Sequence, residues 1–131
     1  MNITTMSTSF LNTLLGYEDI GNGIGDTTRE AKEALVLMAV GMKEKWKMPV
    51  SFHLTRGVTA DQQKTLIMAA IDALQEQNIH VRVVTFDGAA TNMSTAKKLG
   101  CDYEHDVYYF QYENRQIYVT LDACHMLKVL R

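Results

Sequence analysis

The sequence predicts a mixed α/β fold, a sheet of parallel and antiparallel strands with helices flanking it. Three observations predict it. Residues 33–42 and 48–55 are apolar or alternating and are joined by a short polar stretch, as in a β-hairpin. Residues 59–77 combine a helix-start signal with an apolar face at helical spacing. Residues 79–86, 107–112 and 116–121 are rich in β-branched and aromatic side chains, which favour strands.

Along the chain, residues 1–15 (MNITTMSTSFLNTLL) are dominated by Thr, Ser and Asn with scattered apolar positions. They read as a poorly ordered segment, or as a replacement for a lost element, ahead of one domain at 16–131. Residues 16–26 hold Gly16, Gly21, Gly23 and Gly25, so a loop is expected, with a short strand at 14–20. The G-x-G spacing lacks the apolar strand and helix start that a dinucleotide site needs, and a turn is the better reading. The apolar run 31–42 suits a helix or a strand by length alone. Alternation of Val50, Phe52 and Leu54 behind Pro49, with Lys43 to Lys45 as a polar connection, favours the hairpin. Leu35, Leu37, Met38 and Met42 then read as core.

Thr59 and Gln62 form a capping box, and Leu66, Ile67, Ala70, Ile71 and Leu74 make one face of the helix that follows. Asn78 tolerates the left-handed conformation that ends such a helix. Asp87-Gly88 breaks the next strand, and residues 92–99 form a short helix closed by Gly100. Glu113, Asn114 and Arg115 join the last two strands, and a further helix starts at 126–131. A crossover connection places strand 79–86 parallel to one strand of the hairpin.

Composition bounds the function. The chain has 131 residues, 47% hydrophobic and 21% charged, enough for one domain with a real core. Its net charge of −2 disfavours a protein that coats nucleic acid by neutralising phosphates. Two cysteines, Cys101 and Cys124, make no disulfide scaffold, which points to a reducing compartment. No apolar run reaches the length of a membrane span, and no secretory signal is visible.

Asp87 is the first candidate for chemistry. It follows an apolar strand and precedes the small residues Gly88, Ala89 and Ala90, at the strand end where α/β sheets place their sites. It is either a ligand or the former of a strand-ending turn. Asp122 follows Val119, Thr120 and Leu121 in the same way. If the two strands are neighbours, both carboxylates reach one rim, where a divalent cation would relieve their repulsion. A cap on the last helix is the preferred role for Asp122. Cys101, His105, Cys124 and His125 have poor spacing for zinc, and Cys124 reads as a small buried residue. His53 and His80 read as strand histidines, whereas His125 sits at a strand-to-helix junction. Tyr103, Tyr108, Tyr109, Tyr112 and Tyr118 read as core and cross-strand pairs rather than a stacking platform.

Three blocks carry a family resemblance. They are EALVLMAVGMKEKWKMPVSFHL from Glu33, VVTFDGAATN from Val83 and YVTLDACHMLK from Tyr118. In this order, with GYEDIG from Gly16, the chain resembles the RNase H-like domain of P-element-type transposases and of the THAP-domain proteins derived from them. The resemblance implies a partial RNase H-like fold and DNA cut-and-paste transposition by acidic residues that hold two Mg2+ or Mn2+ ions. It implies that Asp87 is the second acid of that set. The strand bearing the first acid is expected to lie before the chain begins, and Asp19 is offered in its place, with Asp122 as a further metal ligand. The last acid would lie beyond residue 131, after an inserted domain linked in this family to guanine nucleotides, and the zinc-dependent THAP module is also absent.

The implied partner is DNA in the full-length protein, in the nucleus, with homo-oligomerisation as a further expectation and no membrane. The chain alone is expected to lack strand transfer. An alternative is a domesticated interaction scaffold whose strand edges are left bare by the missing strand. A nucleotide-binding domain using Gly21 to Gly25 is the remaining reading.

Overall fold

The computed structural model describes residues 3–11, 16–21 and 28–130. Nine elements follow in order: β1 (Ile3–Leu11), β2 (Glu33–Gly41), β3 (Lys47–Thr55), α1 (Ala60–Glu76), β4 (Val83–Phe86), α2 (Ala90–Leu99), β5 (Tyr109–Tyr112), β6 (Arg115–Leu121) and α3 (Ala123–Val129). A single 3-10 turn at Tyr103–His105 precedes β5. The six strands form one sheet in the order β3-β2-β1-β4-β6-β5. β2 is antiparallel to β1 and β3, β4 is parallel to β1 and β6, and β5 is antiparallel to β6. β1, β3, β4 and β6 therefore point one way. The crossover through α1 returns the chain parallel to β3, three positions along the sheet with β2 and β1 between.

The hairpin of β2 and β3 forms as its alternation predicts, from Glu33 opposite Thr55 to Val40 opposite Lys47, with one irregularity beside Pro49. β2 ends at Gly41 because the turn closes there. A Cβ on Gly41 would sit 2.4 Å from Trp46 Nε1 and 2.6 Å from the Glu44 carbonyl. Met42 thus falls in the turn and is 62% exposed, which corrects its expected place in the core.

α1 starts as the sequence specifies. Thr59 Oγ1 accepts from the Gln62 amide at 3.2 Å, and Gln62 Oε1 accepts from the Thr59 amide at 3.0 Å. It ends where Asn78 turns to a φ of 58°. Its buried stripe of Gln63, Ile67, Ala70, Ile71 and Leu74 lies on the sheet. That stripe packs with Leu35, Leu37 and Ala39 of β2, Val84 and Phe86 of β4, and Ile117 and Val119 of β6. Ala96 of α2 and Phe110 and Tyr112 of β5 complete the core. Burying each large apolar side chain contributes about 1.5–3 kcal/mol. Among the described residues no helix is long and apolar enough to cross a membrane.

At the N-terminus, residues 3–11 form β1, paired with β2 from Leu11 opposite Ala34 to Ile3 opposite Gly41, and with β4 through Thr5, Met6 and Ser7. This agrees with the second reading, a segment standing in for an element. The edges of β2 and β4 are joined through β1 rather than bare. The physical reason is backbone satisfaction: one extended segment pairs the groups that β2 and β4 would otherwise both leave open. Residues 1–2 and 12–15 lie outside the described residues. Of the short strand expected at 14–20, Tyr17 and Asp19 make isolated bridges to Glu30 and Leu54.

The cysteines also change places. Cys101 is buried and Cys124 is exposed on the first turn of α3, contrary to the expectation for Cys124. Burial pushes the Cys101 thiol up to about 11 from 9.0. Burial likewise raises the Tyr103 and Tyr112 hydroxyls to about 12 from 10.0, with Tyr112 also donating to Asp72.

Three outcomes follow. Thr59→Ala lowers unfolding free energy by about 1 kcal/mol in urea titration, and Thr59→Ser retains most of it. A thiol reagent at neutral pH modifies Cys124 at once and Cys101 only on unfolding. Because the folded values of Cys101, Tyr103 and Tyr112 lie above their unfolded ones, their contribution is complete below pH 9 and is lost as pH rises toward about 12. Chemical denaturation across that alkaline range reads the decline.

Candidate functional site at the β4 rim

β4 buries Val84 and Phe86, and the chain leaves the sheet at the next residue, Asp87. Leaving there places the carboxylate on the rim formed by the C-terminal ends of β1, β4 and β6, half-buried. Asp87 Oδ1 accepts from the Ala89 amide at 3.0 Å and from Asn92 Nδ2 through a short hydrogen bond. Oδ2 takes no hydrogen bond from the described residues. A Cβ on Gly88 would sit 2.7 Å from the Sδ of Met126, which α3 lays against the turn, so a larger residue there would displace that flexible side chain. Asp87 is thus a turn former through Ala89, and it also lines a cleft.

The cleft has a volume of about 320 Å3 and is lined by Asp87, Asn92, Thr91, Gln63, Gly57 and Glu33, among others. Behind Asp87 lies a buried polar chain. Asn92 Oδ1 accepts from Gln63 Nε2 at 2.7 Å, and Gln63 Oε1 accepts from Thr95 Oγ1 at 2.8 Å. Asn92, Gln63 and Thr95 are 2%, 1% and 0% exposed. They lie between α1 and α2, which also meet at the surface through Lys98 and Asp61 at 3.0 Å. Sequence reasoning missed Gln63, Thr95 and Glu33. The signal for Gln63 was its position, four residues before Ile67 on the apolar stripe, where an amide needs a buried partner.

The other predicted residues are placed as follows. β6 is the parallel neighbour of β4, with Leu121 opposite Phe86, so Asp122 leaves the sheet on the same rim as Asp87. Its amide donates to the Phe86 carbonyl at 2.7 Å. Its carboxylate caps α3, with Oδ1 accepting from the Cys124 amide at 2.9 Å. Asp19 is not brought to the rim. It bridges Leu54 on the outer edge of β3, and its Oδ1 accepts from the Gly21 amide at 2.9 Å. Four strand spacings, about 19 Å at ~4.8 Å each, separate Asp19 from β4.

No group of three or more His, Cys, Asp or Glu side chains is placed to hold a metal among the described residues. His105 pairs with Asp102 at 2.7 Å, and Cys101 is sealed in the core, so they form no zinc set with Cys124 and His125. His53 is satisfied, with Nδ1 2.8 Å from the Ile20 carbonyl and Nε2 3.1 Å from Ser51 Oγ. His80 contacts Arg115 and Gln75, and burial, then the Arg115 charge, holds it below its ordinary pKa. Tyr109 and Tyr118 are a cross-strand pair with ring centroids 5.9 Å apart. Gly23 and Gly25 of the glycine-rich loop lie outside the described residues.

Two divalent ions need several carboxylate oxygens around them. Among the described residues two carboxylates line the cleft, Asp87 and Glu33, and one Asp87 oxygen is already committed to Asn92 and Ala89, while Asp122 on the same rim caps α3. β1 reads ITTMSTSFL and contains no acid. The described residues do not fit a two-ion centre by themselves.

Comparison with known proteins agrees with the fold. The family described as TNP-like, RNase H N-terminal domain matches residues 4–100, a range that takes in most of β1. The human DNA transposase THAP9 is 30% identical over 129 residues, which cover 90% of this chain and 14% of that protein. The structure of the Drosophila P element transposase strand transfer complex superposes with a TM-score of 0.74 at 15% identity, over 98% of this chain and 28% of that one. The chain thus spans a small part of each relative. Its mixed sheet with flanking helices is a partial RNase H-like fold of the P-element transposase type, and the chain belongs to the TNP-like RNase H N-terminal domain family.

Proposed function

We propose that this chain is the first part of the RNase H-like domain of a DDE-type DNA transposase, and that alone it neither cleaves nor joins DNA. The observation that carries this is a rim carboxylate, Asp87, in a cleft where no third acidic, His or Cys side chain among the described residues is grouped with it to hold a metal. Asp87 is presented to a cleft but lacks an acidic neighbour on β1. The cleft supports the first half of the reading, because a rim acid held at the end of an interior strand is suited to act on a bound substrate. The donor set supports the second half, because it cannot surround a pair of cations.

In this reading DNA is the substrate of the longer protein, which works in the nucleus. Oxygens from outside this chain then complete any Mg2+ or Mn2+ site beside Asp87. A net charge of −2 fits a domain that is held on DNA by other modules. A second reading is favoured by the acid-free β1: a non-catalytic interaction scaffold derived from a transposase.

Purified chain incubated with supercoiled plasmid and Mg2+ or Mn2+ is expected to leave it intact, with Asp87→Ala indistinguishable from the unaltered chain. Magnesium-dependent nicking that disappears in Asp87→Ala would overturn the proposal. The longer protein separates the two readings. DNA cleavage that falls at least a hundredfold with Asp87→Ala, the loss expected for a group acting directly in the reaction, supports the first. Cleavage-free association with protein partners supports the second.

A further inference from the structure

We propose that Gln63 and Thr95 are positioning residues for Asp87. Together with Asn92 they form a buried hydrogen-bond chain that holds the carboxylate in one rotamer, with Oδ1 turned toward α2 and Oδ2 left for the cleft. The proposal rests on the reading of Asp87 as the working group of the rim.

The chain has a fixed polarity. Asp87 Oδ1 already accepts from the Ala89 amide, so Asn92 must present its Nδ2 to it. Asn92 Oδ1 then faces Gln63 and can only accept, which commits Gln63 Nε2 as donor at 2.7 Å. Gln63 Oε1 is left facing Thr95, whose hydroxyl is its donor at 2.8 Å. The Thr91 carbonyl lies 2.9 Å from the same hydroxyl and competes for its one proton. Turning Asn92 over would set oxygen against oxygen at Asp87 and NH2 against NH2 at Gln63, and turning Gln63 over would set its oxygen against that of Asn92. With all three side chains at most 2% exposed, no water can repair such a mismatch.

The arrangement is costly as packing alone. Apolar side chains could fill the same space between α1 and α2 without any pairing requirement. What the polar chain adds is a rigid connection from the helix interface to one oxygen of the rim acid. Gln63 on α1 and Thr95 on α2 thereby tie the direction of Asp87 to the packing of both helices.

The test is the side-chain rotamer of Asp87 in the isotope-labelled chain, read from three-bond N–Cγ and C′–Cγ couplings, with solvent exchange of the Asn92 amide protons as a second reading. The unaltered chain is expected to show one dominant rotamer and slowly exchanging Asn92 protons. Gln63→Met, close in volume, and Thr95→Val, close in shape, are expected to lose both signatures while remaining folded. Thr95→Ser restores them because it keeps the hydroxyl. Thr65→Val, which removes an exposed hydroxyl bonded to the Asp61 carbonyl, leaves them unchanged. Averaged couplings in the unaltered chain, or unchanged couplings in folded Gln63→Met and Thr95→Val, would overturn the proposal. Should one variant fail to fold, the other decides. The readout involves no DNA, so it stands or falls separately from the cleavage assays.

Discussion

β4 is only four residues long, yet it is hydrogen-bonded on both edges, to β1 through Val83, Val84 and Thr85 and to β6 through Val83 to Phe86. This double pairing is the constraint on which the rest of the site depends. It fixes the height at which the chain leaves the sheet, and Asp87 is the first residue free of the ladder. Val84 and Phe86 anchor the strand into the core, so that the point of departure cannot slide without exposing them. From there the turn through Gly88 is closed by Met126, and α2 begins close enough for Asn92 to reach back to the carboxylate. The rim is thus built by a short interior strand and by two helices that meet beside its end.

Much of this fold is legible in residues that act locally. The capping box at Thr59, the left-handed Asn78, the closure of α2 by Gly100 and the tight hairpin through Glu113 and Asn114 each depend on a few neighbours along the chain. The parallel placement of β6 beside β4 was legible as a condition, and it brings Asp122 to the same rim as Asp87, though its carboxylate works as a helix cap. Asp87 itself was visible because an acid directly after Phe86 interrupts an otherwise apolar strand.

What escaped the sequence depends on partners far along the chain. β1 is written in Thr and Ser with few strong apolar positions, and its identity as a strand comes from two neighbours that need its backbone, not from its own pattern. Met42 looked like core because hydrophobicity does not say where a strand stops; the contact of Trp46 with Gly41 does. Gln63 and Thr95 lie 32 residues apart, and nothing in either neighbourhood announces that they meet. A glutamine on an apolar stripe marks only that some buried partner must exist.

The central claim is that this chain contributes an oriented carboxylate, Asp87, to the rim, and that its described residues do not complete a cation centre around it. Titration of the labelled chain with Mn2+, followed by paramagnetic broadening of backbone amides, tests it most directly. The claim predicts broadening that centres on Asp87 to Ala89, is abolished by Asp87→Ala, and does not saturate below millimolar Mn2+. Saturable binding at micromolar Mn2+, or broadening centred on Asp19 at the outer edge of β3, would contradict it.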